Sequence, residues 1–318
     1  MGTSFRFPID ELLDDGRCYE WLVEYLHPDG LQCPIGHARP DEEAPHTRDR
    51  APIVEYRCRT CGRVYNVFTD TVLNGIRYPC SKIVLILRGF FQGDSTAKLA
   101  AELSLDRANL LRLRHEVHAI LSDRFPPPSV LLPDHVTEMD EMFQNAGEKG
   151  IPHKDPDDPP RRRGNQRPGH GTFANDRPPI VGVVGRDGGE VRMEAVEHTD
   201  KATLNDVVST ATRANAVVNT DEWSGYNDLA AMGRTHPTVC HSAREWARDD
   251  DGDGVREVHT NTMEGIWTGV RNYLRMFRGV SKWFLPGYVA TFAAVYNAVW
   301  ISPAWLSQAL RRSSPNTT

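Results

Sequence analysis

Apolar residues return at helical spacing in two long stretches of the chain. In the first, Leu110, Leu113, Val117, Ile120 and Leu121 share one face. Arg112 and His115 fall on the other, with Arg107 in the opening turn. Just upstream, Ser95-Thr96-Ala97-Lys98-Leu99 begins a shorter helix behind a hydroxyl cap. Ser104-Leu105-Asp106 makes the turn between the two, with Asp106 placed to cap the second helix. In the second stretch, Ile266, Val270, Tyr273, Leu274 and Phe277 share a face, while Glu264, Arg271 and Arg275 line up opposite. Short β-rich runs lie between these helices: Val136 to Phe143, Ile180 to Val184, Val191 to Val196 and Val217 to Asp221. The middle two, joined through Asp187-Gly188-Gly189, read as a hairpin, and Leu204 to Ala214 reads as a helix. Ile53 to Arg57 and Val64 to Phe68 have strand character near the N-terminus.

These shifts of pattern divide the 318 residues. Residues 1–78 hold an N-terminal helix and a cysteine-bearing ribbon. Residues 79–128 hold the helical pair and end in the stiff Pro126-Pro127-Pro128 linker. Residues 129–303 form an α/β region interrupted by a polar insert, 147–179, that carries Arg161-Arg162-Arg163, and 304–318 reads as a tail. No apolar run reaches the ~18 residues that would suggest a membrane span. The first ten residues lack the basic and then apolar order of a secretory signal, so the cytoplasm is the expected location.

The net charge of -6 leaves nucleic-acid binding open, because such binding depends on local patches. Of 37 basic residues only six are lysine, and arginine forks phosphates bidentately where lysine cannot. An arginine-rich helix-turn-helix with Arg107, Arg112 and His115 facing outward is a DNA-binding pattern.

Cysteines bring in a metal. Cys58-Arg-Thr-Cys61-Gly62 is a ligand knuckle, and Cys33-Pro-Ile-Gly-His37 precedes it by enough chain for a β-hairpin. Two knuckles across a hairpin make a zinc ribbon, since Zn²⁺ takes four borderline or soft ligands in a tetrahedron. Cys33, Cys58 and Cys61 supply three ligands; His37 supplies the fourth, with His46 as its competitor. Cys18 and Cys80 read as core thiols.

Carboxylates bring in another. Asp140 falls near the end of one β run, Asp221 ends another, and Glu264 sits on the polar stripe of the last long helix. The order of strand, hairpin, helix, strand, strand, helix is that of an RNase H-like mixed sheet flanked by helices. Three hard oxygen donors on one spot can hold two Mg²⁺ ions, which clamp the attacking and leaving oxygens of a phosphodiester displacement. The acidic run Asp249 to Gly254 starts like a calcium loop but has Thr260 where a bidentate Glu belongs, so it reads as a solvated loop.

At this point the chain resembles the DDE transposases of small prokaryotic insertion sequences, in the subgroup with an N-terminal zinc ribbon. The matching residues are Cys33-Pro34, Cys58-x-x-Cys61-Gly62, Asp140-Glu141, Thr220-Asp221-Glu222 with Tyr226, His259-Thr-Asn261-Thr-x-Glu264-Gly-x-Trp267, and Tyr296-Asn297. The resemblance implies Asp140, Asp221 and Glu264 as a Mg²⁺-binding triad, with Mn²⁺ substituting, and structural Zn²⁺ in the ribbon. It implies supporting roles for Asn261, His241 and His259, and double-stranded DNA, both element ends and target, as the partner of a homo-oligomer. Two departures stand out. The family's second Cys-x-x-Cys is replaced by Cys33-x-x-x-His37, and Arg271 stands where the family usually carries Lys. Two other readings are a DNA-binding regulator with an inactive core and an RNase H-like nuclease without strand transfer. The complete carboxylate set weighs against the first, and the ribbon and helix-turn-helix weigh against the second.

Overall fold

The computed structural model describes residues 9–40, 44–125, 130–148 and 169–312. The proline linker 126–128, Arg161 to Arg163 of the insert and the residues after Arg312 lie outside them. The chain divides into two compact units, Met1–Arg124 with Ala298–Thr318, and Phe125–Asn297.

The first unit opens with α1 (Asp15–Leu26), capped by Asp14, whose side chain accepts from Arg17 N. A small antiparallel sheet follows, of β1 (Thr47–Arg50), β2 (Ile53–Arg57) and β3 (Val64–Tyr65). The run expected to extend to Phe68 stops at Tyr65 because the Asn66 side chain folds back to accept from Phe68 N at 2.9 Å, which turns the backbone. Then come α2 (Cys80–Phe91), α3 (Thr96–Leu103) and α4 (Arg107–Arg124). Ser95 caps α3 by accepting from Lys98 N, Ser104 ends it in the left-handed region, and Asp106 accepts from Asn109 N at 2.8 Å to start α4. The helix-turn-helix read from sequence is thus built with its expected caps. Cys18 and Cys80 are fully buried.

The sequence reading treats 304–318 as a tail, but Pro303–Leu310 is a helix belonging to this unit. Its Leu306, Ala309 and Leu310 are fully buried, and Leu310 O accepts from Val72 N at 2.9 Å. Leu306, Ala309 and Leu310 recur at helical spacing and give it a face to bury, which a terminal position in the sequence conceals.

The second unit is a five-stranded mixed sheet in the order β6-β5-β4-β7-β8. Its strands are β4 (Val136–Phe143), β5 (Pro179–Gly185), β6 (Val191–Ala195), β7 (Val217–Asp221) and β8 (Thr238–Val239), with α5 (Lys201–Ala211) between β6 and β7. β4, β5 and β6 are antiparallel neighbours, whereas β4, β7 and β8 run parallel. This is the RNase H-like sheet that the element order predicts. A two-stranded ribbon of β9 (Ala247–Arg248) and β10 (Val258–His259) leads into α6 (Asn261–Arg275), then α7 (Leu285–Asn297). α5 begins three residues earlier than its apolar pattern suggests, because Asp200 accepts from Thr203 N and caps it there.

Alternation along the strands divides the core between two faces. Met139, Val181, Val183 and Val218 pack with α5 residues Leu204, Val207 and Val208. Met142, Ile180 and Val184 pack with Met263, Ile266, Trp267 and Val270 of α6, and with Leu285 and Val289 of α7. Asn297 fixes the end of α7 by pairing with the Val191 backbone, accepting from its N–H and donating to its carbonyl, each at 2.8 Å.

Candidate functional site

β4 and β7 pair in parallel, with Thr137 opposite Val218 and Glu138 opposite Asn219. Continuing that register by two residues sets Asp140 level with Asp221. Residues two apart on a strand share a face, so both aspartates stand on the side of the sheet that α6 covers. Asp140 lies within β4 rather than at its end, because the antiparallel ladder with β5 carries the strand on to Phe143. Asp221 is the last residue of β7 and accepts from Trp223 N at 2.9 Å. Glu264, in the first turn of α6, has a half-exposed side chain.

Asp140 feels both of the other carboxylates. Burial raises Asp140 to about 6, and the charges of Asp221 and Glu264 push the same way against the opposing Trp267 hydrogen bond. Burial also raises Asp221, helped by Glu222 and opposed by His241 and His170. The oxygens of the three do not all converge within 4.8 Å, the separation that unites two other groups among the described residues.

The helix that presents Glu264 is held from beneath by a residue the sequence reading passed over. Glu138 is fully buried in β4, and its carboxylate accepts from Thr262 N and Thr262 Oγ1 at 2.8 Å and from Met263 N at 3.0 Å. Thr260, at the helix N-cap, makes no side-chain capping bond. A strand carboxylate therefore caps α6 in place of a local residue, where it also meets the positive end of the helix dipole. Arg186 Nε donates to Glu138 at 2.8 Å, and its other nitrogens donate to the carbonyls of Glu257 and His259.

His241 and His259 diverge. His241 Nε2 lies 3.7 Å from Glu264 Oε1, in a loop held by Glu222, which accepts from His241 N and Ser242 N at 2.8 and 2.9 Å. Those amide bonds keep Glu222 down at about 2. His259 Nδ1 lies 3.1 Å from Glu138 instead, so its place is in the support of α6. Asn261 opens α6, exposed. Glu141 faces the α5 side, where Tyr226 donates to it, and burial raises it to about 7. Trp267 Nε1 donates to Asp140, and His170 stacks on Trp223 with ring centroids 4.3 Å apart. The apolar setting of Glu138, two residues from Asp140 on the same strand face, was the available sign of a buried charge.

In the first unit, Cys33, His37, Cys58 and Cys61 come within 4.8 Å of one another. Cys33 Sγ is 3.6 Å from Cys61 Sγ and 3.7 Å from His37 Nδ1, and Cys58 Sγ is 3.5 Å from His37 Nδ1. Tetrahedral zinc with Zn–S near 2.3 Å and Zn–N near 2.0–2.1 Å requires edges of about 3.8 Å between sulfurs and about 3.6 Å from sulfur to nitrogen. The cluster fits. The Cys58 turn closes through Gly62, whose N–H donates to Cys58 O at 2.8 Å and whose φ of 73° suits glycine. His46 Nε2 faces Arg57 at 3.2 Å, away from the cluster.

On α4, Arg107 and Arg112 are exposed. His115 is half-buried and burial lowers its pKa, so it is less outward than helical spacing suggests. Arg114 is fully buried, donating to Thr96 Oγ1 at 3.0 Å with its guanidinium over the Phe90 ring. The Asp249 loop spends its lead carboxylate on its own amides, Gly252 N and Gly254 N, though Asp249, Asp251 and Glu257 cluster.

Residues 135–297 match the family model of the ISXO2-like transposase domain. An uncharacterized protein in transposable element ISH50 of Halobacterium salinarum is 26% identical over 287 residues, spanning 90% of this chain and 92% of that protein. Among solved structures, a chain of the simian T-cell lymphotropic virus intasome in complex with PP2A regulatory subunit B56 gamma aligns over 61% of this chain. That alignment covers 63% of the intasome chain, just under two thirds of its length, at 14% identity and a TM-score of 0.27. The chain belongs to the ISXO2-like family of DDE insertion-sequence transposases. No helix among the described residues is long and apolar enough to cross a membrane.

Proposed function

We propose that this transposase-family chain binds the ends of an insertion sequence and cuts and joins DNA strands at Asp140, Asp221 and Glu264. The observation that carries the reading is the level placement of Asp140 and Asp221 on adjacent parallel strands, beneath the helix bearing Glu264. Mutually repelling carboxylates at a partly open edge suit hard divalent cations, Mg²⁺ with Mn²⁺ substituting. When bound, such ions supply positive charge to the attacking and leaving oxygens of a phosphodiester. The chain's own residues do the positioning. Trp267 holds one oxygen of Asp140, Trp223 N holds Asp221, and His241 stands against Glu264. Asn261 and Arg271, on the exposed side of the same helix, are placed to orient DNA rather than to bind metal. Water, or a DNA 3′-hydroxyl in the joining step, is the nucleophile.

Element ends are the partner of the α3–α4 pair through Arg107 and Arg112, with a smaller part for His115. Zn²⁺ on Cys33, His37, Cys58 and Cys61 holds the ribbon. The working form is a homo-oligomer on DNA.

The test is a cleavage and strand-transfer assay with the full chain, Mg²⁺ and duplexes carrying the element's inverted repeats. Asp140→Asn, Asp221→Asn and Glu264→Gln should each lower both activities at least about 100-fold while end binding survives. Any one of them cutting at the wild-type rate overturns the triad.

A further inference from the structure

Beyond the triad, an open groove of about 400 Å³ runs between the end of β4 and the outer side of α6. Four arginines line it, Arg177, Arg271, Arg275 and Arg278, and none of its lining residues is acidic. In a chain of net charge -6 that is a local concentration of one sign. The arginines are also ordered. At 100° per residue, Glu264, Arg271 and Arg275 fall within about 40° of one another on the helix surface, forming one stripe. Arg275 and Arg278 are exposed. Arg177 is preset, its Nε donating to Gly169 O at 2.8 Å and its Nη1 to Asn145 Oδ1 at 2.7 Å.

We propose that this groove grips the phosphodiester backbone of one DNA strand a few nucleotides from the scissile phosphate, with Arg177, Arg275 and Arg278 as the gripping residues. The inference rests on the transposase reading and extends it to a binding track. Helical rise puts Arg271 about 10 Å and Arg275 about 16 Å from Glu264 along α6. At 3.4 Å per nucleotide of duplex, a strand laid along the helix from the reacting position meets these guanidiniums roughly three to five nucleotides away. Guanidinium forks take two phosphate oxygens at once without reading base identity, so the track positions the strand and adds no sequence preference. An alternative use for Arg275 and Arg278 is to offset the negative end of the helix dipole, which stabilises the fold but touches no ligand.

Two arms separate these. Binding and cleavage of element-end duplexes by the full chain are measured across a salt series for wild type, Arg275→Ala/Arg278→Ala, and Arg177→Lys. The duplexes carry a single uncharged methylphosphonate at each position from one to eight nucleotides from the cut. The double variant should raise KM for DNA about tenfold with kcat nearly unchanged, and lower the salt slope by about 0.9 per lost phosphate contact. Arg177→Lys should give a smaller loss, since charge remains without the fork. Methylphosphonates about five positions from the cut, level with Arg275, should weaken the wild type and leave the double variant unaffected, while one about three positions away, level with Arg271, should weaken both. The proposal is overturned if the double variant keeps the wild-type KM and slope, or if the neutral linkage about five positions from the cut weakens both proteins equally. Should only thermal stability fall, the dipole explanation replaces it. If the wild type neither binds nor cuts element ends, the transposase reading fails, and this inference with it. Cutting that is indifferent to these arginines removes the groove alone.

Discussion

The indole N–H of Trp267 donates to Asp140 Oδ2 at 2.8 Å, one helical turn beyond Glu264 on the same helix. The helix that brings one carboxylate to the site thus orients another. Room for this comes from Gly182, which pairs with Asp140 across the β4–β5 ladder. A Cβ there would lie 2.8 Å from the Trp267 ring and 2.5 Å from the end of the Met263 side chain. Methionine can swing away, but the ring is wedged in the core.

Trp267→Phe keeps most of the apolar volume and removes the donor. A hydrogen bond to a charged group contributes about 1.5–3 kcal/mol, so Mg²⁺-dependent cleavage should fall roughly 10- to 100-fold, with a melting temperature lowered by several degrees but the fold retained. Gly182→Ala should lower both, because the ring must move. Unchanged cleavage in Trp267→Phe would show that Asp140 needs no orientation from the helix.

Glu138→Gln tests the anchor of α6. The amide has one acceptor oxygen where four donors now converge, and it leaves Arg186 without its buried partner. Breaking a buried pair this way costs about 3–5 kcal/mol. Denaturant unfolding should register a loss of that order. Mg²⁺ titration of the folded variant should show weaker binding, although Glu138 touches no ion. A variant with wild-type stability would mean that some other group caps the helix.

Much of this was legible in the sequence, for identifiable reasons. Asp140, Asp221 and Glu264 could be singled out as candidates because the two aspartates fall on β-rich runs and Glu264 lies on the polar stripe of a strongly periodic helix. Glu138, Arg186 and Arg114 were missed because a buried charge looks like a surface charge until its partners are placed. Those partners are distant in sequence, as Thr262 is from Glu138. The C-terminal helix was read as a tail because its apolar face needs α1 and α4, far away in sequence, to cover it. Local capping, by Ser95, Asp106 and Asp200, was the most transferable signal where it was used, and α5 started early where it was not.

Arg107→Ala and Arg112→Ala should each weaken end binding and reduce the slope of log affinity against log salt by about 0.9, one phosphate contact apiece. His115→Ala should change the slope little, since the imidazole is half-buried and burial disfavours its charged form. Retardation gels at several salt concentrations distinguish these. A slope unchanged in the double arginine variant would move end binding off this helix.

The ribbon makes a stoichiometric claim. Metal analysis of the purified chain should find one zinc per chain, lost in Cys58→Ser and sharply reduced in His37→Ala. It should be retained in His46→Ala, because that imidazole faces Arg57. Because structural zinc contributes folding free energy directly, chelation should unfold the ribbon. Zinc retained in His37→Ala but lost in His46→Ala would reassign the fourth ligand.

Asp140 rises from its ordinary value near 3.8 to about 6, chiefly through burial and then through the charges of Asp221 and Glu264. A carboxyl whose folded-state pKa lies above its unfolded value holds its proton more tightly when folded. Its contribution to stability is therefore present at low pH and is lost as pH rises from about 4 through about 6. One unit is 1.36 kcal/mol, so the metal-free core loses about 3 kcal/mol from this group by neutral pH. A divalent cation stabilises the ionised form and should reverse that loss, while below pH 6 protons compete for the same oxygens. Thermal unfolding with and without Mg²⁺ should show stabilisation that is small at pH 5 and grows to a plateau above pH 7. Asp140→Asn should remove its share of the metal-free slope in this window, leaving the part that Asp221 and Glu141 contribute, and abolish most of the Mg²⁺ effect. If Mg²⁺ stabilises the wild type equally at pH 5 and pH 8, the ion is not binding at Asp140.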